Sequence, residues 1–236
     1  MSRGWDSRDS RPERLPPHHR LSALRDTVAI MAERRGGVPD PETTSRIAGD
    51  DWYGRRLSEE TFERVAFLDV DFTEVVSEGA TFTECVFRGC RFNASVHTGS
   101  AFVNCTFRRS SLFDAVFTRA KLVGTMFDNC TFGAFKVEGG DWSFTGLPGA
   151  DLRGSVFQGV RMREADLTGA KCQQAQFRDT DLSGALVYGA SFEDSDLRGS
   201  DLSAFDPTET AMRRALITVD QAVVLALGLG LDVRAE

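Results

Sequence analysis

Three sets of side chains in this 236-residue sequence have the types to do chemistry. Ser77 and His97 stand twenty residues apart. A hydroxyl beside an imidazole is the beginning of a nucleophile–base pair, but catalysis would also need a third, orienting group and a cleft. Cys85, Cys90, Cys105, Cys130 and Cys172 form a second set, and their spacing matches no zinc pattern. His18 and His19 adjoin without further ligand-type neighbours, so no metal site is read there. The third set is a run of aspartates: Asp71, Asp141, Asp151, Asp166, Asp181, Asp196 and Asp201. No glycine-rich phosphate loop and no nucleophile–base–orienter set occur, so the sequence implies no enzyme, no cofactor and no metal.

The spacing of all three sets belongs to a larger pattern. Stepping by five from Phe62 gives Phe67, Phe72, Ser77, Phe82, Phe87, Phe92, His97, Phe102 and Phe107, and the register runs on without a slip to Leu202. Fourteen of the eighteen phenylalanines fall on this one position in five, far above the fifth that chance would place there. Two residues before each centre the side chain is small: Ala80, Cys85, Cys90, Cys105, Cys130, Ala165, Ala185. Two residues after it glycine is common: Gly79, Gly89, Gly124, Gly154, Gly184. The aspartates sit just before the centres, on positions expected to face outward.

A helix repeats near 3.6 and a strand at 2, so a period of five sustained over about thirty units fits neither. It fits a coil that turns a corner every five residues, with the large and small residues inward and glycine easing the turn. Four sides close a square coil of twenty residues, and stacked coils pair as parallel strands about 4.8 Å apart. Residues twenty apart then stack: Phe67 on Phe87, Phe107 and Phe127, and Ser77 on His97. The cysteines read as buried small hydrophobes. A Cys85–Cys105 disulfide is geometrically open but disfavoured in a reducing compartment. Ser77 and His97 read as a hydrogen-bonded polar corner rather than a site.

This pattern resembles the pentapeptide-repeat family, and the resemblance covers about two-thirds of the chain. It implies an all-β solenoid, a right-handed quadrilateral β-helix, here with a C-terminal helical cap. Within the family, "HTGSAFVNCTF" at His97–Phe107, "DLRG" at Asp151 and Asp196, and "VDQAV" at Val219–Val223 are similar to the mycobacterial and Qnr-like fluoroquinolone-resistance proteins. That likeness implies a DNA mimic that binds DNA gyrase, a type II topoisomerase, and inhibits it or protects it from fluoroquinolone-type poisons. The net charge of −7 suits such a reading. Asp141, Asp151, Asp166, Asp181, Asp196 and Asp201 are the expected acidic partner-binding face. The rival reading is a structural scaffold for a protein partner other than a topoisomerase.

The chain divides into three parts on this reading. Residues 1–50, rich in Arg, Ser and Pro, are expected to form a flexible arm with a short helix over 21–35. The solenoid is expected over 51–205, with an irregularity between Gly133 and Gly149, where Phe135 is too large for its small position. From 206 to 236 a break at Asp206-Pro207, a short helix over "PTETAMRRAL" and a terminal helix capped by Asp220 are expected. That terminal helix is apolar on nearly every side. Val223, Val224, Leu225, Leu227 and Leu229 are therefore expected to cap the coil and join two subunits. No run is apolar enough to span a membrane and no secretory signal opens the chain, so a cytoplasmic homodimer that does not bind nucleic acid directly is expected.

Overall fold

The computed structural model describes residues 39–234, and the residues from Asp40 onward form one compact unit. The expected arm up to residue 38, with its helix over 21–35 and the His18–His19 pair, lies outside the described residues. The five-residue period produces a parallel, four-sided β-solenoid of about seven turns closed by one C-terminal helix, the architecture expected from the sequence.

Every ladder is parallel and joins residues twenty apart. One side carries β1 (Ser45–Ala48), β4 (Val65–Leu68), β7 (Val86–Arg88), β10 (Thr106–Arg108) and β12 (Met126–Asp128). A second carries β2 (Arg56–Ser58), β5 (Val76–Glu78), β8 (Val96–Thr98), β11 (Val116–Thr118), β13 (Lys136–Glu138), β14 (Val156–Gln158) and β15 (Gln176–Arg178). A third carries β3 (Thr61–Glu63), β6 (Thr81–Thr83) and β9 (Ala101–Val103). The fourth is held by single bridges, Asp51 to Asp71, Asp71 to Arg91, Arg91 to Ser111 and Ser111 to Thr131.

The core is the stack of central residues. Phe67, Phe87, Phe107 and Phe127 lie one above another with ring centroids 4.9, 4.6 and 4.8 Å apart, so the coil rise sets the ring spacing. Neighbouring columns meet edge to face, as Phe82 meets Phe87 at 5.5 Å and 67°. Each unit has to turn a corner, and there the residue two after the centre takes a positive φ. Non-glycine residues do so too, among them Glu84 (φ 51°), Asn104 (φ 51°) and Arg119 (φ 50°). Such a conformation costs about 1–2 kcal/mol. Burying one phenylalanine stabilises by about 2–3 kcal/mol, so the core outweighs the strained corner.

The small position does more than save space. Thiols and hydroxyls there donate to the carbonyl of the central residue twenty-three positions earlier: Cys105 to Phe82 (3.4 Å), Thr125 to Phe102 (2.6 Å), Ser200 to Phe177 (2.7 Å). These bonds tie each corner to the coil below. They explain why Cys, Ser and Thr share the position with Ala.

The coil is longer at both ends than the sequence alone indicated. β1 pairs with β4 and sets Ile47 over Phe67, so the solenoid begins near Ser45. It also runs past Leu202. "PTETAMRRAL" forms turns and bridges, with Ala211 on Ser191 and Leu216 on Asp196, in place of the short helix expected there. A ten-residue helix is marginal by itself, whereas the last coil offers a row of unpaired backbone groups. Only then does α1 (Val219–Gly228) begin. Its N-cap is Thr218, not Asp220, because Thr218 and Gln221 form a capping box.

The wall is interrupted twice. In the regular coil the N–H of the central residue and that of the residue two after it each donate to a carbonyl nineteen residues ahead, as Phe72 does to Arg91 and Glu74 to Asn93. Around Asp206-Pro207, Leu182, Gly184, Val187 and Gly189 lack that bond among the described residues, and the ladder resumes at Ala211. The second interruption falls beside the expected irregular stretch. Phe135 is wholly buried in a position that is small in most other units, against Phe117, Phe132, Trp142 and Phe157. Room is recovered at Gly140 (φ 93°), where a Cβ would collide with the Ala120 carbonyl oxygen.

Candidate partner-binding surface

The aspartates before the centres have a local task. Asp141, Asp151, Asp166, Asp181, Asp196 and Asp201 each accept the backbone N–H two residues on, closing an Asx turn at the corner. The bond from Ser183 to Asp181 is 3.2 Å and that from Ser203 to Asp201 is 2.8 Å. The acids are therefore placed by backbone geometry first.

The six do not form one face. Asp141, Asp181 and Asp201 share a column, with Arg161 between the first two. Asp151 lies on the side that bridges to Lys171, Asp166 on the side of Gly146 and Leu186, and Asp196 on the side of Gln176 and Leu216. Nor do all of them point freely outward, as expected. Asp166 is buried at 4% exposure, because it is flanked by Gly146 and Leu186 in the adjacent coils. Any two residues five apart occupy different sides of a four-sided coil, so only acids separated by multiples of twenty can collect.

Arginines sit on most of these carboxylates. Arg161 meets Asp141 at 3.2 Å, Arg153 meets Asp151 and Arg163 meets Asp181 at 2.5 Å each, and Arg198 meets Asp196 at 2.7 Å. The Arg153 hydrogen bond holds the Asp151 carboxyl below its usual range, as Arg198 does for Asp196. Burial works against ionisation at Asp181, but Ser183 and Arg163 together bring its carboxyl down. These cations were not singled out from the sequence. Their signal was there: each lies two, eighteen or twenty residues from its acid.

Exposed carboxylates without an ion pair among the described residues occur towards the N-terminal end, at Asp50, Asp51, Glu59, Asp69, Glu74 and Glu78, and again at the C-terminal coil. Asp201, Asp206 and Glu209 are exposed and follow one another around it. Beyond them α1 docks through Gln221, whose amide donates to the carbonyls of Leu197 and Ser200 at 2.7 Å each. Leu225 is half-buried. Val223, Val224, Leu227 and Leu229 stay exposed in the single chain, Leu227 at 56%, and Leu216, Val219, Leu231 and Val233 extend the apolar patch.

Ser77 and His97 do stack, inside the core. Ser95 Oγ donates to the Phe92 carbonyl (2.7 Å) and takes the proton of His97 Nε2 (3.0 Å), which leaves Nδ1 to accept from Ser77 Oγ (3.0 Å). Ser100 Oγ, at 2.6 Å, completes the chain. Every member is satisfied and solvent does not reach it, so it is a core network. Burial pushes the His97 pKa down to about 3. Between that value and the ordinary 6.5 only the unfolded chain binds this proton, so stability must fall as pH drops, by about 1.4 kcal/mol per unit below 6.5. Denaturant unfolding at pH 7 and pH 5 is expected to differ by about 2 kcal/mol from this residue. His97→Phe, which leaves the serines bonded to each other and to carbonyls, should flatten that slope.

The five cysteines are free thiols. Burial pushes Cys90 and Cys130 up to about 12, so these two stay protonated and unreactive near neutrality. Among the described residues no group of three or more His, Cys, Asp or Glu could hold a metal ion, and no helix is long and apolar enough to cross a membrane.

The C-terminal half of the coil carries recognisable pentapeptide repeats. The pentapeptide-repeat profile matches residues 147–184 and 175–204, and the profile of the SV2A/B/C luminal domain matches residues 50–132. No curated protein sequence matches the chain. Among solved structures, a trypsin-treated variant of QnrB1, a plasmid-mediated fluoroquinolone resistance protein, superposes with a TM-score of 0.56 at 20% identity, over 82% of this chain and 99% of that one. HetL, a pentapeptide repeat protein involved in heterocyst differentiation regulation from a cyanobacterium of the genus Nostoc, has a TM-score of 0.34 at 16% identity, over 79% and 90%. At these identities the QnrB1 likeness is one of fold.

Proposed function

We propose that this protein is a non-catalytic binding module. Its C-terminal coil engages the basic DNA-binding surface of a type II topoisomerase, DNA gyrase, as a homodimer joined through α1. It competes with a DNA segment there, inhibiting the enzyme or shielding it from fluoroquinolone-type poisons. The carrying observation is the run Asp201, Asp206 and Glu209, exposed and outside any ion pair among the described residues, beside the Asp141–Asp181–Asp201 column. Joining two chains through the exposed apolar face of α1 brings two such runs to one junction. The resistance named for QnrB1 supports this target by analogy of fold. The compartment that fits this partner is the cytoplasm.

The test is binding to purified gyrase, and supercoiling with and without a fluoroquinolone, over a salt series. Affinity should fall steeply with salt because charge supplies much of it. Asp181→Asn with Asp201→Asn keeps the side-chain oxygen that closes each Asx turn and removes both charges. The double variant is expected to bind at least about tenfold more weakly with its Tm unchanged. Unchanged binding would remove the site assignment, and no effect of the wild-type dimer on gyrase at low salt would remove the target.

One observation favours a scaffold for another protein partner: Asp141, Asp151, Asp166 and Asp196 lie on four different sides and three of them hold an arginine, so these acids do not form one negative face. Capture of a partner that is insensitive to salt would select that reading.

A further inference from the structure

The second interruption of the wall is an opening, and the residues around it define what it accepts. Between the segments Asn129–Ala134 and Pro148–Arg153, four N–H groups (Asn129, Phe132, Ala134, Asp151) and four carbonyls (Cys130, Pro148, Asp151, Arg153) have no backbone partner among the described residues. In every neighbouring coil of that side the equivalent groups are paired, as Leu112 N–H is to Thr131 O and Leu152 N–H to Lys171 O, both 2.8 Å. A cavity of about 330 Å³ occupies the gap, walled by Phe127, Phe132, Pro148 and Ala150, with Asp128 and Asp151 at its rim. Among the described residues no lysine or arginine lines it.

The ladder is intact at both edges of the opening. Gly146 pairs with Met126 on one side, and the Val156 N–H reaches the Phe135 carbonyl at 2.9 Å on the other. The two coils are thus pinned at the ordinary rise on either hand. A further β-strand would need twice that separation and cannot enter. A single side chain can. The wall is mainly polar with a smaller apolar part from Phe127, Phe132, Pro148 and Ala150, the unpaired carbonyls accept hydrogen bonds, and the rim is anionic. Among the described residues Asp128 pairs with Arg108 (2.9 Å) and accepts from the Asn129 side-chain amide (2.6 Å), and Asp151 pairs with Arg153; surface ion pairs of this kind are worth about 0–1 kcal/mol and can be exchanged. A planar cation with several donors on an apolar stem matches all of these features, and guanidinium matches better than a point-charged ammonium.

We propose that this opening is a binding site for one arginine side chain presented by a protein partner. The guanidinium lies between the two coils, donates to the orphaned carbonyls and to Asp128 and Asp151, and its methylenes pack on Phe127 and Phe132. The site is distinct from the C-terminal coil and does not depend on which partner binds there.

The test uses the full chain and N-acetyl-arginine amide, followed by amide NMR. Saturable shifts are expected at Asn129, Phe132, Ala134 and Asp151, with those at the C-terminal acids absent. The lysine analogue should bind several-fold more weakly, and the uncharged citrulline analogue should not bind. Asp128→Asn with Asp151→Asn retains the turn acceptor at 151 and is expected to weaken arginine binding about tenfold at an unchanged Tm. Absence of shifts at the four amides, equal shifts with citrulline, or unchanged affinity in the folded double variant each overturn the proposal. Gyrase takes no part in the experiment, so its outcome is independent of the function proposed above.

Discussion

Replacing Phe87 by alanine is expected to destabilise the protein by about 3–5 kcal/mol, the range for deleting a fully buried aromatic ring. Phe87 has no exposed surface. Its ring is stacked at 4.9 Å on Phe67 and 4.6 Å on Phe107, and meets Phe72, Phe82 and Phe92 edge to face. The backbone on all sides is fixed by ladders at the coil rise, so the walls cannot collapse into the void. A solenoid passes stability from each coil to the next, and a defect in one coil weakens both neighbours. Denaturant unfolding followed by fluorescence should show the midpoint fall, with a second transition if the two halves uncouple. A loss below about 1 kcal/mol would mean that the aromatic columns relax, and the account of the core as a rigid stack would be wrong.

The second large effect is expected at Gln221, the one buried residue of α1. Its amide donates to the Leu197 and Ser200 carbonyls, and its oxygen accepts the Thr218 N–H at 2.7 Å. Gln221→Ala strands three polar groups at the end of the coil, and a buried group left unpaired costs about 1–3 kcal/mol. A total of about 2–5 kcal/mol is expected, felt mainly as undocking of α1. Gln221→Glu should do no better, since a carboxylate keeps the acceptor but faces two carbonyls without a donor. Hydrogen exchange at residues 219–228 should rise to the solvent rate in both variants while the central coils stay protected. Sedimentation would then show whether association is lost with the helix. If exchange in α1 is unchanged, Gln221 is not the clamp and the apolar contacts of Leu225 hold the end.

Much of this was legible in the residues. Period five, large and small inward positions and the stacking of residues twenty apart follow from repetition, because a repeat that is uniform in sequence has one uniform way to bury its large side chain. The disturbance near Phe135 was legible for the same reason: a bulky residue in a small slot has nowhere to go but against the wall. The ends were harder. Ile47, Trp52, Pro207, Met212 and Ile217 keep the register, but Asp50 stands in the small position before Trp52, and the units around Pro207, Met212 and Ile217 lack the glycine two residues after the centre. What decides them is the unpaired edge of the neighbouring coil, which local propensity does not contain.

The sequence by itself determined the fold, the core positions and the apolar character of α1, since each depends on a residue's type and its place in the period. Tertiary structure alone decided the surface. The aspartates looked like one acidic face along the chain, yet the four-sided coil sends Asp141, Asp151, Asp166 and Asp196 in four directions and brings an arginine to three of them. Ser77 and His97 read as a hydrogen-bonded polar corner, and the coil turns both inward, where burial keeps the imidazole neutral; the full bonding chain through Ser95 and Ser100 came only from the structure. The physical reason is common to both. Inward packing is fixed by local periodicity, whereas the sum of charges at a point in space depends on which residues twenty apart, and which cations from adjoining coils, are folded onto it.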